Sequence, residues 1–168
     1  MSFKTKLINK FTESELEIDQ ILEESYIPLT ESDKQNISFE PEFNINDNNI
    51  MIIQKFMDFI KEQLELEEIP KINILYTRKE GMTYGSFDLN GNIINVYGKN
   101  RGLADIIRTI AHELTHYWQN TLNKIPKDLN GRNLELEAEA NTKAGDITYM
   151  FGLQNPEIYT ISLTSKDA

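Results

Sequence analysis

His112-Glu113-Leu114-Thr115-His116 is the stretch on which the reading of this chain turns. Its two imidazoles stand four positions apart, so on a helix both leave one face and can close on a single metal ion, with Glu113 projecting beside them. The flanking residues supply that helix. Leu103, Ile106, Ile107, Ile110, Ala111, Leu114 and Trp118 form a broad apolar stripe, and Asn100 is placed to cap the first turn. Two histidines on an amphipathic helix can arise by chance. Here they are the only two in the chain, and there is no cysteine. A third ligand must then be a carboxylate, and the next helical stretch, about Asn133 to Phe151, opens with Glu135, Glu137 and Glu139 as candidates.

Upstream of the motif the periodicity changes. Ile72, Ile74 and Tyr76 alternate within Lys71 to Thr77, which predicts a strand. Tyr84 to Leu89 and Ile93 to Tyr97 flank Asn90-Gly91-Asn92, a hairpin signal. Before them, Ile50, Ile53, Phe56, Met57, Ile60 and Leu64 recur at helical spacing up to Pro70. The polar stretch from Thr30 to Asn49, with Pro41 and Asn46-Asp47-Asn48-Asn49, reads as an irregular connection. Thr12 and Glu15 have capping-box spacing and open a short helix that Pro28 stops. Downstream, Pro126 and Asn130-Gly131 mark a loop, Gly152 and Pro156 a helix stop, and Ile158 to Leu163 alternates enough for an added strand.

The expected fold is α+β: a small antiparallel or mixed sheet, then the motif helix, then the third-ligand helix. Residues 1–49 form a helical and irregular N-terminal arm and residues 50–168 the catalytic domain, unless 1–168 is one compact domain.

Composition excludes several partners. Lys plus Arg total 17 against 27 Asp plus Glu, giving a net charge of −10 that repels phosphate backbones and anionic membrane surfaces. The first residues lack the apolar run of a secretory signal, and no later run is long enough to span a bilayer. A soluble cytoplasmic protein, binding neither nucleic acid nor membrane, is expected. Nothing in the sequence sets its oligomeric state.

The motif together with Glu137-Ala138-Glu139-Ala140-Asn141 resembles the gluzincin metallopeptidases, in which His-Glu-x-x-His is followed by a helix carrying Glu-x-x-Ala-Asp or a close variant. Minigluzincins and the Ste24/HtpX-like and IrrE/ImmA-like peptidases share the pattern. A metzincin would carry histidine where Leu122 stands, and a peptide deformylase an upstream cysteine ligand. The resemblance spans about Lys71 to Phe151. It implies a zincin-like endopeptidase acting on a peptide or protein, with Zn2+ held by His112, His116 and Glu137 and with Glu113 as the general base to zinc-bound water. Asn141 takes the place of the aspartate that hydrogen-bonds the first histidine in these families, and as a neutral amide it would raise ligand basicity less. Glu137, Asn141, Ala144 and Gly145 fall on one helical stripe, whose small residues would let two helices approach. Glu139 is the reserve ligand.

The resemblance also implies a substrate-pairing edge strand, expected at Ile93 to Tyr97, and a donor to the oxyanion, for which Tyr149 and Tyr117 stand near the two motifs without either being singled out. An arm glutamate, Glu23, Glu24 or Glu31, could approach the metal and hold the enzyme latent. The alternative expectation, motivated by Asn141, is a non-catalytic zinc-stabilised binding or structural protein on a degenerate peptidase scaffold.

Overall fold

The computed structural model describes residues 36–125 and 133–165. The Thr12 helix, the arm glutamates and the Pro126 loop lie outside them. Helix α1 (Asp47–Gln63) starts earlier than its apolar periodicity implies, because the Asn46 side chain accepts a hydrogen bond of 2.8 Å from the Asn49 amide and caps the first turn. It buries Ile52, Ile53, Phe56, Met57 and Ile60, and ends well before Pro70. Past it, Glu65 takes a left-handed φ of 51°.

Residues 36–44, expected to be irregular, supply two short strands, β1 (Ile37–Phe39) and β2 (Phe43–Asn44). Neither has a local partner. β1 runs parallel to β3 (Lys71–Leu75), which runs parallel to β5 (Ile93–Tyr97), and β4 (Gly85–Asp88) closes the sheet antiparallel to β5. The hairpin between β4 and β5 turns through Asn92, whose φ of 50° is tolerated better by asparagine than by most residues. The order β1-β3-β5-β4 corrects the expectation that β5 is the edge. Its two neighbours occupy both of its sides, and among the described residues the edge next to the hairpin is β4.

Strand β6 (Arg101–Gly102) leads directly into helix α2 (Leu103–Thr121). Asn100 does not cap that helix; it sits at φ 55°, and Gly102 occupies the cap position without a side-chain bond. The Leu103 amide donates instead to the Ile161 carbonyl at 2.8 Å. Helix α3 (Leu134–Gln154) is capped by Asn133, which accepts from the amides of Glu135 and Leu136. A single 3-10 turn, Pro156–Tyr159, brings the chain to β7 (Ser162–Ser165), a strand slightly later than the alternation suggested. β7 pairs antiparallel with both β2 and β6, making a second small sheet.

The described residues thus form a mixed α+β fold with three helices. Leu103, Ile106, Ile107, Ile110 and Leu114 of α2 are fully buried in one core with Ile72 and Ile74 of β3 and Ile94 and Val96 of β5. On the opposite face of the same strands Asn73 donates to Asn95 at 3.2 Å, and Lys79 reaches Asn95 at 3.0 Å. No described helix is long and apolar enough to cross a membrane.

Phe56 of α1 is fully buried and stacks edge-on against Phe151 of α3 with ring centroids 5.1 Å apart. Phe56→Ala should therefore cost about 3–5 kcal/mol of folding stability, read as a shifted urea midpoint; a loss below about 1 kcal/mol would contradict this packing.

Candidate metal centre

Three residues with metal-ligating atoms converge where α2 faces α3. The Nε2 atoms of His112 and His116 lie 3.0 Å apart, Glu137 Oε2 lies 3.6 Å from the first, and Glu137 Oε1 lies 3.5 Å from the second. A tetrahedral zinc with bonds of about 2.0–2.1 Å places its ligand atoms about 3.3 Å apart. The observed separations bracket that value, and the group could hold a metal ion.

The protonation of His116 follows from its neighbours. Gln119 is fully buried, and its amide nitrogen donates to the Leu136 carbonyl at 3.0 Å and to Glu139 Oε2 at 2.9 Å. Its oxygen is therefore the atom that meets His116 Nδ1 at 2.8 Å, and the ring must donate there. In the neutral ring, Nε2 is then left with a lone pair aimed at a second imidazole nitrogen and a carboxylate. Lone pairs collected in one place suit a cation. Burial, followed by the neighbouring His116, pushes the His112 pKa down, against the opposing effects of Glu137 and a hydrogen bond with Asn141. That shift favours the neutral ring that a metal requires.

Glu139, the reserve ligand, is not part of the cluster. It accepts from Gln119 and from Lys124 at 3.0 Å, and those contacts hold its carboxyl below the usual range, the Gln119 bond most. Of the stripe expected on α3, Ala144 is buried whereas Gly145 has open space around it, so close approach does not depend on that glycine.

Glu113 is 7% exposed and lies against the start of β4. Burial, reinforced by the charge of Glu137, pushes its pKa up to about 7. Gly85 makes this possible. A Cβ there would come within 2.5 Å of Glu113 Oε1 and 2.7 Å of Thr109 Cγ2, so any side chain would have to displace the carboxyl or the strand.

A cleft of about 810 Å³ runs past these groups, and Tyr84, Gly85, Arg101, Arg108, Glu113 and Asn141 are among its walls. Tyr117 and Tyr149 do not line it. The Tyr117 hydroxyl points to Glu68 at 3.4 Å and its ring packs on Phe87, while Tyr149 is exposed. Trp118, expected in the core, is only partly buried and lies beneath the ammonium groups of Lys124 and Lys143.

The sequence did not point to Gln119, Gly85, Arg101 or Arg108. Gln119 had a usable signal, since it lies three positions past His116 and shares its helical face. Arg108, four before His112, had the same one. Gly85 had none, because its importance lies in what touches it.

Two outcomes follow. Gln119→Leu should keep the fold and weaken zinc affinity about 10–100-fold, measured by competition with a chelating indicator; unchanged affinity would show that His116 needs no such support. Because Glu113 has a raised pKa in the folded state, its contribution is fully present below about pH 4.5 and is lost as pH rises towards 7. In metal-free protein, Glu113→Gln should therefore gain up to about 3 kcal/mol over wild type above pH 7 and little near pH 4. Equal urea midpoints across that range would refute the burial argument. No family model, curated protein or solved structure matches this chain.

Proposed function

We propose that this chain is a zinc-dependent endopeptidase with a zincin-like catalytic domain. The observation that carries the reading is the meeting of His112, His116 and Glu137 at one point, with the carboxyl of Glu113 beside them in a cleft bordered by β4, an edge strand among the described residues. Bound at that point, zinc would supply Lewis acidity, making water more acidic and polarising the scissile carbonyl.

The remaining work belongs to the chain. An extended peptide adds to the outer edge of β4 through backbone hydrogen bonds, which places one of its carbonyls beside the cluster. Glu113, held between Gly85 and α2, takes a proton from the attacking water and returns it to the departing amine. The His116–Gln119 and His112–Asn141 contacts fix the two rings so that neither must reorganise during the reaction.

One observation favours a second reading, a zinc-stabilised binding or structural protein without catalysis. Both rings are supported by neutral amides, Gln119 and Asn141, and amides do less than carboxylates to strengthen imidazole ligation.

A single set of measurements separates the two. For the peptidase, zinc-loaded wild type should cleave unstructured peptides, chelation should stop it and zinc should restore it. Glu113→Gln should keep stoichiometric zinc while losing at least about 100-fold in kcat/KM. A Glu113→Gln variant that cleaves at the wild-type rate would remove Glu113 from its role, and a fully loaded but inert wild type would favour the binding protein.

A further inference from the structure

Arg101 and Arg108 stand out in a chain that carries ten excess negative charges, because both line the cleft that holds the metal cluster. Arg101 is a strut. Its guanidinium donates to the carbonyls of Tyr97 at 2.7 Å and Asp105 at 2.9 Å and to the Thr109 hydroxyl at 2.9 Å, and it lies 4.7 Å from the Tyr84 ring centroid. All three of those acceptors are uncharged, so its positive charge is not cancelled by direct contact. Tyr84 also carries Arg78, 5.1 Å from the ring centroid on the same residue that leads into β4.

Arg108 differs in being exposed and, among the described residues, in having no hydrogen-bond or ion-pair partner for its side chain. Among the described residues no carboxylate lies within ion-pair distance of it, Asp105 and Glu137 included. It stands one helical turn before His112 on the same face of α2, near enough to act on that ring electrostatically. A helical turn rises about 5.4 Å, and an extended peptide covers about 3.3 Å per residue. A group meeting Arg108 therefore belongs to a residue within about two positions of the one beside the cluster.

We propose that Arg108, backed by Arg101, forms a subsite for a peptide carboxylate, so that the cleft selects substrates with an acidic side chain or a free C-terminus within about two residues of the scissile bond. Planar recognition of a carboxylate is what a guanidinium does well. The net negative charge elsewhere would repel an acidic peptide at long range, so selectivity depends on this local patch. The assignment rests on the peptidase reading for its reference to a scissile bond, but its binding test requires no turnover.

The test uses the full chain as the zinc-loaded Glu113→Gln protein and isothermal calorimetry with three matched unstructured peptides. One carries a central glutamate and an amidated C-terminus, one has glutamine there and an amide, and one has glutamine near a free C-terminus. At least one carboxylate peptide should bind about tenfold more tightly than the uncharged one, and which it is identifies the source. The gain should shrink with added salt, disappear in Arg108→Gln and return in part in Arg108→Lys, with thermal midpoints unchanged because the residue is exposed. Equal affinity for all three peptides, or a tenfold gain that survives Arg108→Gln, would overturn the subsite. Wild type that cleaves none of these peptides while the gain is present would count against the peptidase reading and leave the subsite standing.

Discussion

Glu137 sits on α3 with Ala140 and Ala144 following three and seven positions later on the same side, and both alanines are buried. Larger side chains there would hold the helices apart, and the ligand atoms of His112, His116 and Glu137 could no longer lie within 4.8 Å of one another. Gln119 fixes the same crossing from the other side by reaching from α2 to the Leu136 carbonyl and Glu139. The meeting of His112, His116 and Glu137 is in this sense a product of helix spacing. The core beneath it, from Leu103 to Leu114 against Ile72, Ile74, Ile94 and Val96, keeps α2 from sliding on the sheet.

Two carboxyl groups, Glu113 and Glu137, lie close together, and the proton affinity of Glu113 is raised first by its burial and then by the charge of Glu137. A cation held there would offset that charge, while Gln119 and Asn141 meet the rings without adding further negative charge. The charged groups of the cluster thus sit on facing sides of α2 and α3, away from the apolar interior.

Features carried by local periodicity were legible before any coordinates: the three helices, the β4–β5 hairpin, and the pairing of His112 with His116. Those fixed by distant contacts were not. Ile37–Phe39 is too short to announce itself, and becomes a strand because β3 offers it a parallel neighbour. β5 looked like an edge because alternation says nothing about who lies alongside, and Asn100 looked like a cap until β6 took the residues between it and α2. Choosing Glu137 over Glu139 could be argued from a motif, but the reason Glu139 is unavailable, its commitment to Gln119 and Lys124, exists only in three dimensions.

β7 joins distant parts of the chain, since Asn44 pairs with Thr164, 120 positions away, and Gly102 pairs with Ser162. Contacts of such long sequence separation form slowly, because the intervening chain must first be gathered. The entrance of α2, where Arg101 and the Leu103 amide are tied down, is thus completed by residues some sixty positions downstream, Ile161 to Leu163. Helix α2 can form on local contacts alone, whereas the anchoring of its first turn waits for β7, so the making of the helix and the fixing of its entrance are separable events in folding.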